Sequence, residues 1–227
     1  MKYDHVHYYD VLDSTNDEAI KMAQLGCQNG TVIVANHQRA GRGRVGKSWI
    51  SLDGNLFFSV IYRGSNQWSK DRQKSHLAFI MSIAVRDVIA ELVSNNVNIS
   101  LKWPNDVLID NKKISGILLE SRPGVDWVVI GVGVNLYLAP DSFSFLLNYC
   151  SFDKSLVFNK IVSAYTALSF FWEINGFGKI RNLWLKSAYG VGKEFVVTTL
   201  NQKFFGQFVD IDLDGRAIFI SNGNVIS

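Results

Sequence analysis

The glycine- and arginine-rich segment at residues 41–48 constrains the fold more than any other part of the sequence. It reads Gly-Arg-Gly-Arg-Val-Gly-Lys-Ser and matches the pattern G-x-x-x-x-G-K-[ST] of the phosphate-binding loop in P-loop nucleoside triphosphatases. In those proteins a helix follows the loop directly, because amide groups at the helix N-terminus bind the phosphates. Here a turn at Asp53-Gly54-Asn55 and a predicted strand follow instead. We therefore reject a P-loop fold.

The same segment carries an unusual charge pattern. Four cations fall within residues 39–47, and glycines are interleaved with them. Arginine offers forked hydrogen-bond donors that suit phosphate or carboxylate, and glycine lets the backbone approach a ligand closely. Taken alone, the pattern fits a mobile basic surface loop and an anion-binding loop equally well.

The start of the first helix is marked by Thr15 and Glu18, which have the spacing of a capping box. We expect Thr15 to be the N-cap and the helix to end at Gly26. The residues expected to be buried are Ile20, Met22 or Ala23, and Leu25.

Apolar periodicity predicts an α+β chain. The predicted helices cover residues 77–93, 156–172 and 180–188. The predicted strands cover residues 31–35, 56–62, 97–103, 107–109, 113–120 and 128–134. The strands at 107–109 and 113–120 form a predicted hairpin around Asp110 and Asn111.

The predicted secondary structure changes after Gly190 from mixed helices and strands to short strands only. Short strands are predicted at 194–200, 204–212 and 217–220, with turns at 201–202, 214–215 and 222–223. The result is a small all-β unit of about forty residues, and no low-complexity linker precedes it. We therefore expect two closely packed domains, at residues 1–188 and 189–227.

Composition indicates a globular cytoplasmic protein. Apolar residues make up 48% of the 227 residues, which is enough to form a hydrophobic core without disulfides or structural metals. The longest apolar stretch, residues 77–85, is about half a membrane span, and the N-terminus lacks a signal-peptide pattern. Cys27 and Cys150 are far apart, which predicts reduced thiols. The net charge of +3 is mild and the cations are scattered, so nucleic acid is not an expected partner.

Several short motifs carry polar residues next to predicted strand or helix ends. Residues 13–16 read Asp-Ser-Thr-Asn, residues 102–106 read Lys-Trp-Pro-Asn-Asp, residues 113–116 read Lys-Ile-Ser-Gly, and residues 131–135 read Gly-Val-Gly-Val-Asn. Each motif alone has an ordinary structural explanation, as a cap, a turn, an edge lysine or a strand. The two glycines near Asn135 indicate close approach of a flat ligand to the backbone.

Taken together and in this order, these motifs resemble those of the bacterial biotin–protein ligases. The resemblance includes Gln38 and Trp49 on either side of the glycine–arginine loop, and it spans the whole chain. It implies an α+β catalytic domain with a mixed sheet, related to lipoate ligases and class II synthetases, followed by a small SH3-like β-barrel domain. It also implies a reaction in which biotin and Mg-ATP give biotinyl-adenylate, whose biotin passes to a lysine of a biotin carboxyl carrier protein of acetyl-CoA carboxylase.

The resemblance also implies roles for individual residues. Biotin would be held by the helix start, by Gln38, by the loop and by Lys113. The residues implied for biotin are Ser14, Thr15, Asn16, Gln38, Gly41, Arg42, Gly43, Arg44 and Lys113. Those implied for the nucleotide are Arg42, Asn105 and Asn135, and those implied for catalysis are Lys113, Arg44 and Asp106. Asp106 is the one candidate contact for Mg²⁺.

Three further expectations follow from the resemblance. Some members carry an N-terminal helix-turn-helix that represses transcription. Because this chain begins almost at the capping box, we expect a ligase without specific DNA binding, present as a monomer or homodimer. Two alternatives remain open at this point: a lipoate–protein ligase, and a non-catalytic binding module for RNA or peptide.

Overall fold

The computed structural model describes residues 5–64, 74–198 and 203–226. The strands in this part of the chain are β1 (Val6–Leu12), β2 (Val32–Gln38), β3 (Leu56–Arg63), β4 (Ile99–Lys102), β5 (Asp106–Ile109), β6 (Lys112–Glu120), β7 (Trp127–Val134), β8 (Glu194–Thr198), β9 (Lys203–Ile211), β10 (Ala217–Ser221) and β11 (Asn224–Ile226). The helices are α1 (Thr15–Gln24), α2 (His76–Leu92), α3 (Lys154–Asn175) and α4 (Phe177–Leu185), with a short 3₁₀ turn at Leu146–Asn148.

The larger sheet has seven strands in the order β1-β2-β3-β7-β6-β5-β4. Strands β1 and β2 are parallel, whereas the other neighbours are antiparallel, so the sheet is mixed. The central strand β7 is buried along its whole length, because protein covers both faces of the sheet there. This explains why its sequence is a continuous run of small and β-branched residues rather than an alternating one.

Helices cover both faces of this sheet. The main core lies between the sheet and α2, α3 and α4, and α2 buries most of its side chains there. On the opposite face α1 places Ala19 and Ala23 against Ile33, Ile61 and Val129. Since α1 covers only part of that face, the neighbouring area above β6 and β7 is left for the loop that follows β2.

The small C-terminal unit is an antiparallel sheet in the order β11-β10-β9-β8. Phe208, Ile211 and Ala217 from this sheet join the main core. The turn before β10 is also held by the larger domain, because the side chains of His76 and Trp103 donate hydrogen bonds of 3.0 Å to backbone carbonyls of that turn. The predicted close packing of the two parts is confirmed, whereas the division at residue 188 stays a prediction.

Most of the predicted elements are present. The α+β class, the mixed sheet and the C-terminal β unit are confirmed, and the hairpin turn at Asp110 and Asn111 has the positive φ angles of a tight turn. Strand β1 and the final strand β11 had no counterpart in the predictions, and β4 is shorter than predicted because it begins at Ile99. The predicted turn at 201–202, with the last two residues of the strand before it, lies outside the described residues.

The predicted start of the first helix was wrong by one residue. Ser14 is the N-cap: it has an extended backbone, and its Oγ accepts a hydrogen bond from the backbone N–H of Asn16. Thr15 is instead the first helical residue, and its hydroxyl points into a buried polar cluster. Leu25 was also expected to be buried, but it is 87% exposed, because the helix ends at Gln24.

Two further expectations concern the membrane and the cysteines. Within residues 5–64, 74–198 and 203–226, no helix combines the length and the apolar character that crossing a bilayer requires. Cys27 and Cys150 are both free thiols, as predicted.

Candidate active site

All of the predicted site residues except Gly41 line two adjoining cavities on the α1 face of the larger sheet. The larger cavity has a volume of about 460 Å³, and the smaller one has about 30 Å³. Arg42, Trp49, Gly116 and Leu118 line both cavities. The predicted residues that line the smaller cavity are Ser14, Thr15, Asn16, Gln38 and Arg42. Those that line the larger cavity are Arg42, Gly43, Arg44, Asn105, Asp106, Lys113 and Asn135.

The smaller cavity is lined by polar groups from the start of α1 and the end of β2. The side-chain carbonyl of Gln38 accepts hydrogen bonds from the backbone N–H of Thr15 at 2.9 Å and from its hydroxyl at 3.1 Å. Asn16 is 3% exposed, and its amide nitrogen donates to Glu120 at 2.6 Å. The cavity therefore presents amide and hydroxyl groups that are already fixed by neighbouring residues.

A charge network closes one side of the smaller cavity. Arg42 donates two hydrogen bonds of 2.7 Å to Asp17 and one of 3.0 Å to Glu120. The hydrogen bonds from Arg42 lower the pKa of Asp17, against a smaller opposing effect of burial. The same carboxylates raise the pKa of Arg42, with Asp17 as the main cause. Arg42 is thus held by acidic residues on α1 and β6.

The glycine–arginine loop folds back on itself above the larger cavity. The backbone N–H of Gly43 donates to the carbonyl of Lys47 at 2.6 Å, and that of Trp49 donates to Gly41 at 2.9 Å. A Cβ atom at Gly41 would lie 2.8 Å from the Trp49 carbonyl, so this position requires glycine. Gly41 is buried behind the loop and does not line either cavity.

Arg44 is at the exposed end of this loop. Its guanidinium donates a 3.3 Å hydrogen bond to the side-chain carbonyl of Asn105. The amide nitrogen of Asn105 in turn donates to the backbone carbonyl of Ile117 at 2.6 Å. The loop therefore contacts the turn after β4 across the opening of the larger cavity.

The flat group that lies against the glycines of β7 belongs to the protein itself. A Cβ atom at Gly133 would stand 2.4 Å from Trp49 Cε2, and one at Gly131 would stand 2.2 Å from Asn16 Oδ1. Gly116 lies opposite Gly133 across β6 and β7, and the Trp49 indole covers both. Trp49 and Asn16 make this close approach, so the predicted approach of a flat ligand stays a prediction.

Lys113 and Asp106 both line the larger cavity, and the Lys113 ammonium lies next to Gly116, which borders both cavities. The ammonium of Lys113 is 2.7 Å from Asp106 Oδ1, in an ion pair whose angle departs from that of a directed hydrogen bond. The same ammonium is 5.4 Å from the centre of a Trp49 ring, within the range of a cation–π contact. Asp106 is the only carboxylate among the described residues that line this cavity. Lys112, next to Lys113 in sequence, is exposed.

Asn135 lies at the end of β7 in the wall of the larger cavity. It is 2% exposed, and its amide nitrogen donates to the backbone carbonyl of Ser144 at 3.1 Å. Its backbone N–H donates to Ile114 at 2.8 Å. These contacts fix the side chain, and they leave its side-chain oxygen, Oδ1, without a hydrogen-bond partner among the described residues.

Three residues that contact the predicted set were not predicted from the sequence. Asp17 pairs with Arg42, Glu120 pairs with both Asn16 and Arg42, and Ser59 lies behind Thr15 and Asn16. Asp17 could have been found, because it is next to the motif at the helix start. Glu120 and Ser59 gave no local signal, since a serine or glutamate on a strand is ordinary.

Comparison with known proteins identifies the family. Residues 8–135 match the model of the biotin/lipoate A/B protein ligase family. The bifunctional ligase/repressor BirA of Bacillus subtilis is 32% identical, over 97% of this chain and 71% of that protein. The biotin–[acetyl-CoA-carboxylase] ligase of Paracoccus denitrificans is also 32% identical, over 91% of this chain and 90% of its own length.

A solved structure shares the fold. The biotin protein ligase from Aquifex aeolicus, in complex with biotin and ATP, superposes with a TM-score of 0.82 at 22% identity, covering 99% of this chain and 95% of the other. The sequence relatives and the fold agree. The chain therefore belongs to the biotin/lipoate A/B protein ligase family, and within it to the biotin–protein ligases.

Proposed function

We propose that this protein is an ATP-dependent ligase that activates biotin as biotinyl-adenylate and transfers it to a lysine of a biotin carboxyl carrier protein. The observation that carries the proposal is the arrangement of two adjoining cavities. One is lined by fixed amides and hydroxyls, and the other by cations and one carboxylate. A ligand with a polar ring and a carboxylate tail, followed by a nucleotide, fits this order of groups.

Biotin is assigned to the smaller cavity. The ureido ring offers two N–H donors and one carbonyl acceptor, which complement Ser14, Thr15, Asn16 and Gln38. At about 30 Å³ the cavity holds no more than about one water molecule. Binding of a bicyclic ring therefore requires lining side chains to move, and we assign this movement to Trp49, which covers Gly116 and Gly133.

ATP is assigned to the larger cavity. Arg42 and Arg44 supply hydrogen-bond donors for the phosphates. The side-chain oxygen of Asn135 is able to accept a hydrogen bond from the exocyclic amine of adenine. Asp106 is the carboxylate that would hold Mg²⁺ together with phosphate oxygens, which is how proteins usually bind this ion.

Lys113 is assigned the main electrostatic role. When the biotin carboxylate attacks the α-phosphorus and pyrophosphate leaves, negative charge builds up between the two cavities. When a lysine amine then attacks the acyl carbon and AMP leaves, charge builds up on the acyl oxygen. A fixed ammonium beside both centres stabilises both transition states without reorganisation. Lys113 lines the cavity at that junction.

The protein partner and the cellular compartment follow from this proposed activity. The curated relatives include ligases named for acetyl-CoA carboxylase, so we assign a biotin carboxyl carrier protein as the acceptor. A carrier of this kind would place the protein in the cytoplasm. The absence of specific DNA binding, and the choice between monomer and homodimer, remain predictions to be tested with the purified chain.

The decisive experiment measures pyrophosphate release by the purified protein. Biotin and Mg-ATP together should give release, and either alone should give none. Adding a carrier protein should make the reaction catalytic, with one biotin attached per acceptor lysine. Release with lipoate but not with biotin would make the protein a lipoate ligase, and no release with either would leave a binding module.

A further inference from the structure

Ser59 lies directly behind the smaller cavity but does not line it. It is fully buried on β3, opposite Gly131 of β7. Its hydroxyl oxygen is 2.6 Å from Asn16 Oδ1 and 2.8 Å from Thr15 Oγ1. Both of these neighbours line the cavity. A hydroxyl in this position hydrogen-bonds to Thr15 and Asn16. It therefore determines which donors and acceptors of these two residues remain available to a ligand.

The orientation of the Asn16 amide is fixed by Glu120. A carboxylate only accepts hydrogen bonds, so the atom of Asn16 that is 2.6 Å from Glu120 is the amide nitrogen. The amide oxygen then faces Ser59. Because an amide oxygen only accepts, Ser59 must donate its single hydroxyl proton to Asn16.

The orientation of Gln38 is fixed in the same way. The backbone N–H of Thr15 only donates, so the atom of Gln38 that it contacts at 2.9 Å is the side-chain oxygen. The Thr15 hydroxyl lies 3.1 Å from that same oxygen. The one proton of Thr15 is therefore shared between Gln38 and Ser59.

The cluster is short of one proton. It has three oxygen–oxygen contacts, at 2.6, 2.8 and 3.1 Å, and only two hydroxyl protons to fill them. The Asn16 oxygen already accepts from Ser59 and the Gln38 oxygen from the Thr15 N–H, so the cluster has acceptor lone pairs left over but no hydroxyl proton. A ligand that brings an N–H group to Thr15 or Gln38 matches these lone pairs, whereas a ligand that offers only acceptors finds no proton to accept.

We propose that Ser59 is a positioning residue that, together with Glu120, sets the smaller cavity to accept N–H donors and so selects the ureido group of the ligand. The inference rests on the proposed function, because it names the part of biotin that this cavity recognises. It adds two residues that do not touch the ligand but determine how Thr15 and Asn16 present their oxygens.

The test compares three variants. Ser59→Ala removes the proton, and Ser59→Cys keeps a side chain of similar shape but offers only a weak S–H donor. Ser100→Ala is the matched control, because Ser100 is a buried serine of the same sheet whose hydroxyl has no hydrogen-bond partner among the described residues. Dissociation constants of biotin and of desthiobiotin, which keeps both ureido N–H groups, are measured by calorimetry, and KM for ATP and kcat by pyrophosphate release.

We expect Ser59→Ala and Ser59→Cys to weaken both ligands by the same factor, roughly tenfold, because the Asn16 amide oxygen loses the donor that holds it in place and the cost of ordering it then falls on ligand binding. KM for ATP and kcat at saturating biotin should stay within about twofold, and Ser100→Ala should behave as wild type. Wild-type affinity in Ser59→Cys would show that only shape matters and would overturn the proposal. A wild-type protein that binds no biotin would instead refute the proposed function.

Discussion

The ammonium of Lys113 and the carboxylate of Asp106 form an ion pair of 2.7 Å at the wall of the larger cavity. Lys113 lies on β6 and Asp106 begins β5, and the hairpin between these strands fixes the distance. Both side chains are about three-quarters buried. The pair fixes the Lys113 ammonium at the place where we propose that the reaction occurs. The next residue, Lys112, is exposed and serves as a control.

Replacing Lys113 should depress both half-reactions. We expect Lys113→Ala to slow adenylate formation and biotin transfer by on the order of a hundred- to a thousand-fold, as for loss of other preorganised transition-state donors. Lys113→Arg should restore only part of the rate, because the guanidinium differs in shape and reach. Single-turnover measurements of each step provide the test. An equal loss of rate in Lys112→Ala would show that the effect comes from the total positive charge and not from the position of Lys113.

The loop that covers the cavities should become protected on ligand binding. Its end, residues 44–48, is exposed, and trypsin cleaves after arginine and lysine residues such as Arg44 and Lys47. The movement of Trp49 that we assign to biotin binding would reorganise this loop, and phosphate contacts would offset the entropy lost on ordering it. We expect biotin plus Mg-ATP to slow cleavage at least several-fold. Identical digestion patterns with and without ligands would contradict this.

Arg44 should retain the reactive intermediate. Its side chain is exposed and makes one 3.3 Å contact, to Asn105, so Arg44→Gly should leave the free energy of unfolding within about 1 kcal/mol. Loss of its contacts to the adenylate should let the intermediate escape and acylate nearby lysines. Mixing the variant with biotin, Mg-ATP and an unrelated protein should give diffuse biotinylation on a blot. Labelling confined to the carrier protein would argue against this role.

The close approach of Trp49 to Gly133 should make alanine damaging there. A Cβ atom at Gly133 would lie 2.4 Å from the indole, so Gly133→Ala must displace Trp49 or the strand. Forced repacking of this kind typically costs about 1–3 kcal/mol. We expect lower stability in urea unfolding and an altered tryptophan fluorescence spectrum. In Gly178→Ala on α4 the nearest atom is 4.0 Å from the added Cβ, and this control should retain the wild-type spectrum.

The buried His76 should make stability depend on pH. Burial lowers its pKa from 6.5 to about 4, partly opposed by the hydrogen bond to the Leu213 carbonyl. The unfolded chain therefore binds more protons than the folded one between these values, so stability rises as pH increases from about 4 to 6.5. The contribution is complete above pH 6.5 and is lost as pH falls through this window, by about 3 kcal/mol at most.

Urea unfolding at a series of pH values measures this contribution. His76→Phe should remove much of the slope between pH 4 and 6.5, while it keeps an aromatic ring against Phe177, on which His76 stacks at 3.8 Å. The control is His7→Phe, because His7 is exposed on β1. An unchanged slope in the His76 variant would show that other groups cause the dependence.

The sequence by itself determined most of the elements and the local motifs of the site. Apolar periodicity predicted α2, a continuous apolar run predicted β7, and turn-forming residues predicted the hairpin that presents Lys113, because these features depend on residues a few positions apart. The start of α1 was predicted to within one residue, since several adjacent polar side chains are able to serve as a cap.

Only the tertiary structure decided which distant residues complete the site. Glu120 contacts Asn16 across 104 positions of sequence. Ser59 of β3 is paired with Gly131 of β7, against which Asn16 packs, and this pairing brings Ser59 to Thr15 and Asn16. The floor on which Trp49 lies exists because Gly116 and Gly133 are paired across β6 and β7. Strand order and register set these contacts, and both depend on how the whole chain packs rather than on any local pattern.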